Sequence, residues 1–352
     1  MLITFLFLKR NKSSKYKLST NSTFIPPNQL KVAVLFLVFN RLDTTKKVFG
    51  AIKKAKPPRL YVAADGPRER RNGENEKVRE VRDYIINNID WECELKTLFR
   101  EKNLGCKYAV SSALDWFFEI EEMGIILEDD CLPSQSFFWF CEQMLIEHKT
   151  NQQIAMITGT NYLTKKTSLL NGDYFYSNYF AVWGWATWRR AWEDYDVEMK
   201  NYISLNYRDI KYKASSYRIY LYCKTNFDLI RDKKNDTWDT QWFFHSFMNS
   251  RLCIVPIKNL ITNIGVEGSH ASGKITENHF IENYEIVINK SLKPVTEMFY
   301  ANSDYDLGLY KRIGYKPILL NLITEFLKKL KLLDFIKKIN NVIKSKFQFL
   351  FL

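Results

Sequence analysis

The chain has 352 residues, enough for one large domain or two. Hydrophobic residues make up 46% and aromatic residues 15%, a composition that permits a substantial core and excludes global disorder. The six cysteines form no Cys-x-x-Cys pair and no Cys/His cluster, so the sequence indicates neither a structural zinc site nor a disulfide framework. A reducing compartment fits this cysteine usage best.

The net charge of +13 is concentrated at the two ends of the chain. Residues 1–31 carry +6 and residues 311–352 carry +8, which leaves −1 for the body between them. A nucleic-acid enzyme usually carries its positive charge around the site, so this distribution argues against a nucleic-acid partner. Basic tails with interleaved apolar residues favour an anionic membrane surface instead. We therefore expect a cytoplasmic protein that is peripheral on the inner face of the cell membrane.

Three parts follow from these patterns: a basic N-terminal tail or linker (1–30), a folded domain (31–300) and a basic C-terminal tail (311–352). In the last part, apolar residues recur three or four positions apart between lysines. This spacing predicts amphipathic helices that lie in a membrane interface. The alternative is a helix packed on the body with a solvated lysine face.

Strands and helices alternate along the domain, which predicts an α/β fold with a parallel sheet. The expected strands are Val32–Phe39, Leu60–Ala64, Cys93–Phe99, the run before Glu128, Ile154–Thr158 and Leu252–Pro256. The expected helices are Thr44–Lys54 (capped by Asp43), Glu74–Asn88, Tyr108–Glu119, Ser136–His148, Tyr217–Arg231 and one opening at Trp238. Neither a Gly-x-Gly-x-x-Gly nor a Walker A loop follows the first strand, so those nucleotide-binding modes are not supported.

Three consecutive acids, Glu128, Asp129 and Asp130, directly follow an apolar run that is typical of a central strand. Side chains alternate between the faces of a strand, so not all three acids can avoid the interior. Their burial requires a counter-charge, and hard oxygen ligands suit Mg²⁺ or Mn²⁺ completed by substrate phosphates. The alternative is a solvated acidic turn in which Asp129 or Ser134 caps the next helix.

Two later stretches bear on function. Tyr174–Trp192 is dense in aromatic residues and forms either core or a wall on which a sugar stacks. The loop Asn263–Lys274 is rich in glycine and polar residues, a composition typical of mobile lids.

Taken together, the chain resembles the GT-A fold glycosyltransferases over residues 32–275. The likeness is to bacterial sugar transferases of the hemolytic-protein HlpA-like family and, more distantly, to N-acetylglucosaminyltransferase I. It rests on five stretches in order: Phe39-Asn40-Arg41, Ala64-Asp65-Gly66, Asn103-Leu104-Gly105, Leu127-Glu128-Asp129-Asp130 and Trp238-Asp239-Thr240-Gln241-Trp242. The resemblance implies a mixed, mostly parallel sheet flanked by helices, the nucleotide-diphospho-sugar transferase fold.

The resemblance also implies roles for individual residues on the donor side. Asp130 would bind the metal, Asp129 would approach the ribose and Glu128 the donor sugar. The other residues implied in nucleotide and donor binding are Asn40, Arg41, Asp65, Asn103 and Gly105. An ordinary Asp-Gly turn remains the alternative for Asp65.

On the acceptor side, Asp239 matches the general base of the inverting enzymes. The match is imperfect, because two residues separate Asp239 from Trp242, and Asp236 is therefore a rival base. Trp183 and Trp185, around a predicted turn at Gly184, are assigned to the acceptor side or to core. His270 lies in the loop that resembles a segment closing over the donor, and its role is left open among metal, phosphate and packing.

The resemblance therefore predicts a Mn²⁺- or Mg²⁺-dependent hexosyl- or N-acetylhexosaminyltransferase of cell-surface polysaccharide biosynthesis. Its donor would be a nucleotide-diphosphate sugar, its acceptor a hydroxyl of a surface glycan or lipid-linked saccharide, and its outcome inversion. One alternative is a sugar-phosphate nucleotidyltransferase, although Asn40-Arg41-Leu42-Asp43 stands where such enzymes carry a glycine-rich loop. The other is a non-catalytic, membrane-associated binding protein.

Overall fold

The computed structural model describes residues 24–203, 207–265, 281–288 and 291–313. The predictions for the loop around His270, for residues 1–23 of the N-terminal tail and for residues 314–352 of the C-terminal tail lie outside these ranges. Within them, no helix has both the length and the apolar character that a bilayer span requires.

The described residues form ten strands, and the six that were expected begin and end within about two residues of the expected bounds. In chain order they are β1 (Ala33–Val38), β2 (Arg59–Ala64), β3 (Glu94–Phe99), β4 (Met123–Glu128), β5 (Cys131–Pro133), β6 (Ile154–Thr158), β7 (Tyr174–Ser177), β8 (Trp185–Trp188), β9 (Leu252–Pro256) and β10 (Ile261–Asn263).

Eight of these strands form one sheet in the order β3–β2–β1–β4–β8–β6–β9–β7. Six of them run parallel to one another, whereas β8 and β7 run antiparallel to their neighbours. The expected mixed, mostly parallel sheet is therefore confirmed. The two remaining strands, β5 and β10, pair antiparallel in a short ribbon.

Helices cover both faces of the sheet. They are α1 (Leu42–Ala55), α2 (Glu74–Asn87), α3 (Gly105–Ile120), α4 (Ser136–Glu147), α5 (Thr164–Thr167), α6 (Arg189–Trp192), α7 (Lys200–Ile203), α8 (Tyr207–Lys213), α9 (Tyr217–Arg231), α10 (Asp239–Met248) and α11 (Ser303–Ile313).

The all-apolar sequence of β1 is explained by burial of both its faces. Phe36 and its same-face neighbours pack in one core cluster with α1, α2 and α4. Leu35 and the residues beside it on the other face pack in a second cluster with α3 and α10. A strand covered on both sides reads as a continuous hydrophobic run because neither face meets water.

Strands β1 to β4 are parallel, so their carboxyl ends meet at one edge of the sheet. The residues that follow these ends are Arg41 after β1, Asp65 after β2, Arg100 after β3 and the acids Glu128–Asp130 at and after β4. Chain topology alone thus gathers charged side chains that are up to 89 positions apart in the sequence. Ligands of open α/β sheets bind at this edge.

The expected cap of α1 is wrong, because Asp43 lies inside the first turn of that helix, which begins at Leu42 without a side-chain cap. The alternative offered for the acidic stretch, in which Asp129 or Ser134 caps α4, is not observed either. The Glu285 carboxylate caps α4 instead, accepting hydrogen bonds from the backbone N–H groups of Gln135 (2.8 Å) and Ser136 (2.7 Å).

Candidate functional site

A cavity of about 330 Å³ opens at the carboxyl ends of β1, β2 and β4, and we call it the strand-end cavity. Its floor is apolar, built from residues such as Leu37 and Ala63. Its charged and amide side chains are Arg41, Asp65, Arg68, Arg100, Asn103, Glu128, Asp129 and Asp236. The structure therefore brings together most of the residues that the sequence assigned to the donor side.

Arg41 is the cation at the centre of the acidic stretch. Its guanidinium pairs with Asp129, whose side chain is 5% exposed, and its Nη1 lies 2.9 Å from Oδ2 of Asp130. Burial lowers the pKa of Arg41, but the two carboxylates outweigh burial and raise it. The counter-charge that the sequence required for the buried acids is thus supplied, for two of them, by the protein itself.

Glu128 has no such partner among the described residues. Burial, and then the charges of Asp130 and Asp129, raise the pKa of Glu128 to about 8. The pKa of Asp129 is raised by burial to a lesser extent, to about 6, because Arg41 opposes the rise. A carboxyl group inside a cavity whose pKa lies near neutral pH is a frequent feature of functional sites.

Asp65 is held by four N–H groups. Its carboxylate accepts hydrogen bonds from the backbone of Gly66 (2.9 Å), Leu104 (2.9 Å) and Gly105 (3.1 Å), and from the side chain of Asn103 (2.9 Å). Burial raises the pKa of Asp65, and these bonds limit the rise. Four donors fill the usual acceptor positions of a carboxylate. In this structure Asp65 and Asn103 therefore anchor the start of α3, and contact of Asp65 with a base stays a prediction.

Asn40 does not line the cavity. Its side-chain amide donates to Glu74 (3.0 Å), a buried carboxylate that also pairs with Arg68. The Arg68 guanidinium lies over the ring of Phe39, 5.4 Å from its centroid. Asn40 thus contacts the cavity only through the Glu74–Arg68 pair, and its role in donor binding stays a prediction.

Gly105, at the start of α3, lies close to Asp236 on the lining of the strand-end cavity. It has a φ of +76°, a conformation that residues with a Cβ rarely adopt, at the first position of α3. A Cβ on Gly105 would lie 3.3 Å from Oδ2 of Asp236. The requirement for glycine is therefore conformational, and Asp236 is placed on the rim of this cavity.

Asp239 lies in a second cavity of about 210 Å³, which we call the aromatic cavity. Its walls include Tyr162, Phe180, Trp183, Tyr222 and Phe243.

One carboxylate oxygen of Asp239, Oδ1, accepts hydrogen bonds from the Thr237 hydroxyl and from the Thr240 backbone (2.8 Å). No described residue donates to its other oxygen, Oδ2. Asp239 is close enough to Glu128 and Cys106, which line the strand-end cavity, to influence the pKa of both. Asp239 therefore lies within electrostatic range of the strand-end cavity.

The two tryptophans assigned to the acceptor side or to core lie in different surroundings. Trp183 lines the aromatic cavity, and Gly184, with a φ of +64°, makes the predicted turn. Trp185 is fully buried in β8 and stacks on Trp238, with ring centroids 5.5 Å apart. The acceptor-side assignment of Trp185 is therefore wrong, because its side chain has no surface to offer a ligand.

Whether the described residues fit a divalent cation depends on the donor set. No group of three or more His, Cys, Asp or Glu side chains in these ranges is arranged to hold a metal. Of the two aspartates that pair with Arg41, Asp130 has the more exposed side chain, at 14% against 5% for Asp129. The donor set suits an ion held by one or two carboxylates and completed by phosphate oxygens of a ligand, the usual manner of Mg²⁺.

Sequence reasoning missed two arginines of the strand-end cavity, Arg68 and Arg100. A signal for them was present. Arg68 lies four residues after the end of β2, and Arg100 directly follows β3. An inspection of the cations that follow each parallel strand would have found both.

No protein-family model and no curated protein matches the chain. Among solved structures, HddC from Yersinia pseudotuberculosis aligns with 9% identity over 50% of this chain and 87% of that chain, with a TM-score of 0.29. Apo UDP-glucose pyrophosphorylase aligns with 7% identity over 66% of this chain and 93% of that chain, with a TM-score of 0.30. These likenesses are too distant to assign a family.

Proposed function

We propose that the protein is a glycosyltransferase that uses a nucleotide-diphosphate sugar. The observation that carries this proposal is the presence of two unlike cavities, with Asp239 of the second within electrostatic range of Glu128 in the first. One cavity is lined by arginines and carboxylates at the carboxyl ends of parallel strands, and the other is lined by aromatic rings. A transferase that joins an anionic donor to a saccharide acceptor needs two such compartments near each other.

The strand-end cavity suits the donor. Arg41 and Arg68 present guanidinium groups, whose planar fork matches phosphate oxygens. The carboxylates of Glu128 and Asp129 are acceptors for sugar and ribose hydroxyls. A divalent cation on Asp130, when bound, would supply electrostatic stabilisation of the departing nucleoside diphosphate.

The aromatic cavity suits a saccharide acceptor. Sugar rings pack their apolar C–H faces on aromatic side chains, and Trp183, Tyr162 and Tyr222 line the wall. The proposed acceptor is a surface glycan or a lipid-linked saccharide. The sugar that the donor transfers to it would be a hexose or an N-acetylhexosamine.

In the proposed reaction, an acceptor hydroxyl attacks the anomeric carbon of the donor while the bond from that carbon to the diphosphate oxygen breaks. Oδ2 of Asp239 takes the hydroxyl proton, while Thr237 and Thr240 fix the carboxylate through Oδ1. Arg41 stabilises the charge that grows on the diphosphate. A single displacement inverts the anomeric centre.

The test is release of nucleoside diphosphate from a panel of nucleotide sugars mixed with saccharide acceptors, in Mn²⁺ or EDTA. We expect Asp239→Asn to reduce transfer by about a hundredfold or more, because a general base contributes on the order of 10²–10⁴ in rate. Binding of the nucleoside diphosphate should be unchanged in the same variant. Asp83→Asn, on the exposed side of α2, is the matched control.

Four results would count against this assignment. Unchanged transfer by Asp239→Asn would remove Asp239 as the base, and a loss in Asp236→Asn alone would move the role to Asp236. Pyrophosphate formation from a nucleoside triphosphate and a sugar 1-phosphate would instead indicate a nucleotidyltransferase. Binding of no nucleotide would indicate a non-catalytic protein.

A further inference from the structure

We infer that Arg100 is a specificity residue that binds a carbonyl oxygen of the donor's base, so that the enzyme accepts guanine or uracil and rejects adenine. This inference rests on the proposed function and adds to it the class of nucleotide. It is argued from the charges that line the strand-end cavity and from the position of Arg100 on the sheet.

The three arginines of the strand-end cavity differ in how they are neutralised. Arg41 forms ion pairs with Asp129 and Asp130. Arg68 forms an ion pair with Glu74. Arg100 forms no ion pair within the described residues.

The Arg100 guanidinium is half-buried and donates one hydrogen bond, from Nη2 to the Ser112 hydroxyl (2.8 Å). A guanidinium has five N–H donors, so most of its capacity is unused by the described part of the protein. Asp65 acts on Arg100 only at longer range, and its own oxygens are occupied by four N–H groups. Burial lowers the pKa of Arg100, as expected for a cation that its surroundings do not fully compensate.

The position of Arg100 identifies which part of the donor it meets. It follows β3, and the order β3–β2–β1–β4 places three strand spacings between it and the acids of β4. At roughly 4.8 Å per spacing, that separation is about 14 Å. If the sugar and diphosphate lie at the acids, as proposed, Arg100 faces the opposite end of the donor, which is the base.

The hydrogen-bonding groups of Arg100 and of the base then determine the specificity. Arginine donates hydrogen bonds and accepts none. Guanine O6 and thymine O4 are acceptors, and uracil has the same O4 carbonyl as thymine, whereas cytosine and adenine carry an amino donor at the corresponding position. An Arg100 that contacts this position therefore favours guanine and uracil, the bases with a carbonyl there.

The experiment is calorimetric titration of the full-length protein with UDP, GDP, CDP and ADP in the presence of Mn²⁺. We expect ADP to bind at least about tenfold more weakly than the tighter-binding of UDP and GDP. Arg100→Gln should weaken binding of that nucleotide on the order of tenfold to a hundredfold, the range for hydrogen bonds to charged groups, and should leave ADP unchanged. Arg79→Gln, an equal charge change on the exposed face of α2, should alter neither affinity.

The outcomes separate the possible contacts. An equal loss for all four nucleotides in Arg100→Gln would show that Arg100 binds phosphate, and would overturn the inference. ADP binding as tight as that of the tighter-binding of UDP and GDP, or unchanged affinities in the variant, would also overturn it while leaving the proposed function intact. Failure of all four nucleotides to bind wild-type protein would overturn the proposed function and this inference together. Thermal unfolding of the variants checks that each is folded.

Discussion

The three acids after β4 differ in their electrostatic surroundings. Asp129 and Asp130 share the Arg41 guanidinium, whereas Glu128 forms no ion pair with a described residue and Arg41 acts on it only at longer range. The sequence alone required a counter-charge for the whole stretch, and a metal ion was the expected source. The residue that supplies it for two of the acids lies 88 positions earlier than Asp129, at the end of an adjacent parallel strand, so its identity depended on the topology of the sheet.

Glu128→Gln should increase stability at alkaline pH. The pKa of Glu128 is about 8 in the folded protein and near 4.5 when unfolded, so the folded state binds more protons between these values. Stability from this group therefore falls as pH rises through that window, and glutamine removes the loss. We expect urea denaturation to show a gain of at least about 1 kcal/mol at pH 8.5 that shrinks toward pH 4.5.

The control for this measurement is Glu119→Gln, an exposed carboxylate near the end of α3. It should change stability little at either pH. A gain in Glu128→Gln that is equal at both pH values would contradict the electrostatic explanation and point to packing instead.

At the scale of elements, the beginning of α4 shows how a distant segment completes a helix. The residues before Ser136 provide no side-chain cap. The Glu285 carboxylate bonds two N–H groups of this end from 149 and 150 positions away, and the Ser136 hydroxyl accepts a hydrogen bond in return from the Ile286 backbone (3.0 Å). The segment 281–288 is thereby fixed to the beginning of α4.

Glu285→Ala should lower the free energy of unfolding by about 1–2 kcal/mol. The variant removes the acceptor for two helix N-terminal N–H groups and a negative charge that is favourable at that end of the helix. Urea denaturation measures the change, with the exposed neighbour Glu282→Ala as control. A loss no larger than that of the control would show that water replaces the cap without penalty.

Elements whose pattern is local were predicted closely, and elements defined by distant partners were not. Strands β6 and β9 and helix α9 have the predicted bounds. Strands β7 and β8 were not recognised within Tyr174–Trp192, because each is only four residues long and neither is a continuous aliphatic run that stands out from the aromatic residues around it. The β5–β10 ribbon, three residues long on each side, has no local signal at all.

At the scale of the whole molecule, the excess positive charge lies at the ends of the chain and not in the body that contains the strand-end cavity. The excess of +13 belongs to the ends of the chain, and the body is close to neutral. We propose that the tails hold the protein on an anionic bilayer, while the strand-end cavity binds its ligand through locally placed charges.

Substitution of Lys328, Lys329 and Lys331 by glutamine should weaken binding to vesicles that contain anionic lipid. Each lysine near such a surface contributes about 1 kcal/mol, so three should account for on the order of a hundredfold. Vesicle flotation measures the effect, and added salt should weaken wild-type binding. The control replaces three exposed lysines of the body, Lys47, Lys54 and Lys77. Equal loss in the control would attribute binding to net charge rather than to the tail.

The pairing of Arg41 with Asp129 and Asp130 also has a consequence for selectivity among simple ions. A phosphate that displaced the two carboxylates from the guanidinium would leave them without a counter-charge, and a cation that displaced the guanidinium would leave it without one. We therefore expect the site to bind a ligand that brings charges of both signs more tightly than it binds either ion alone.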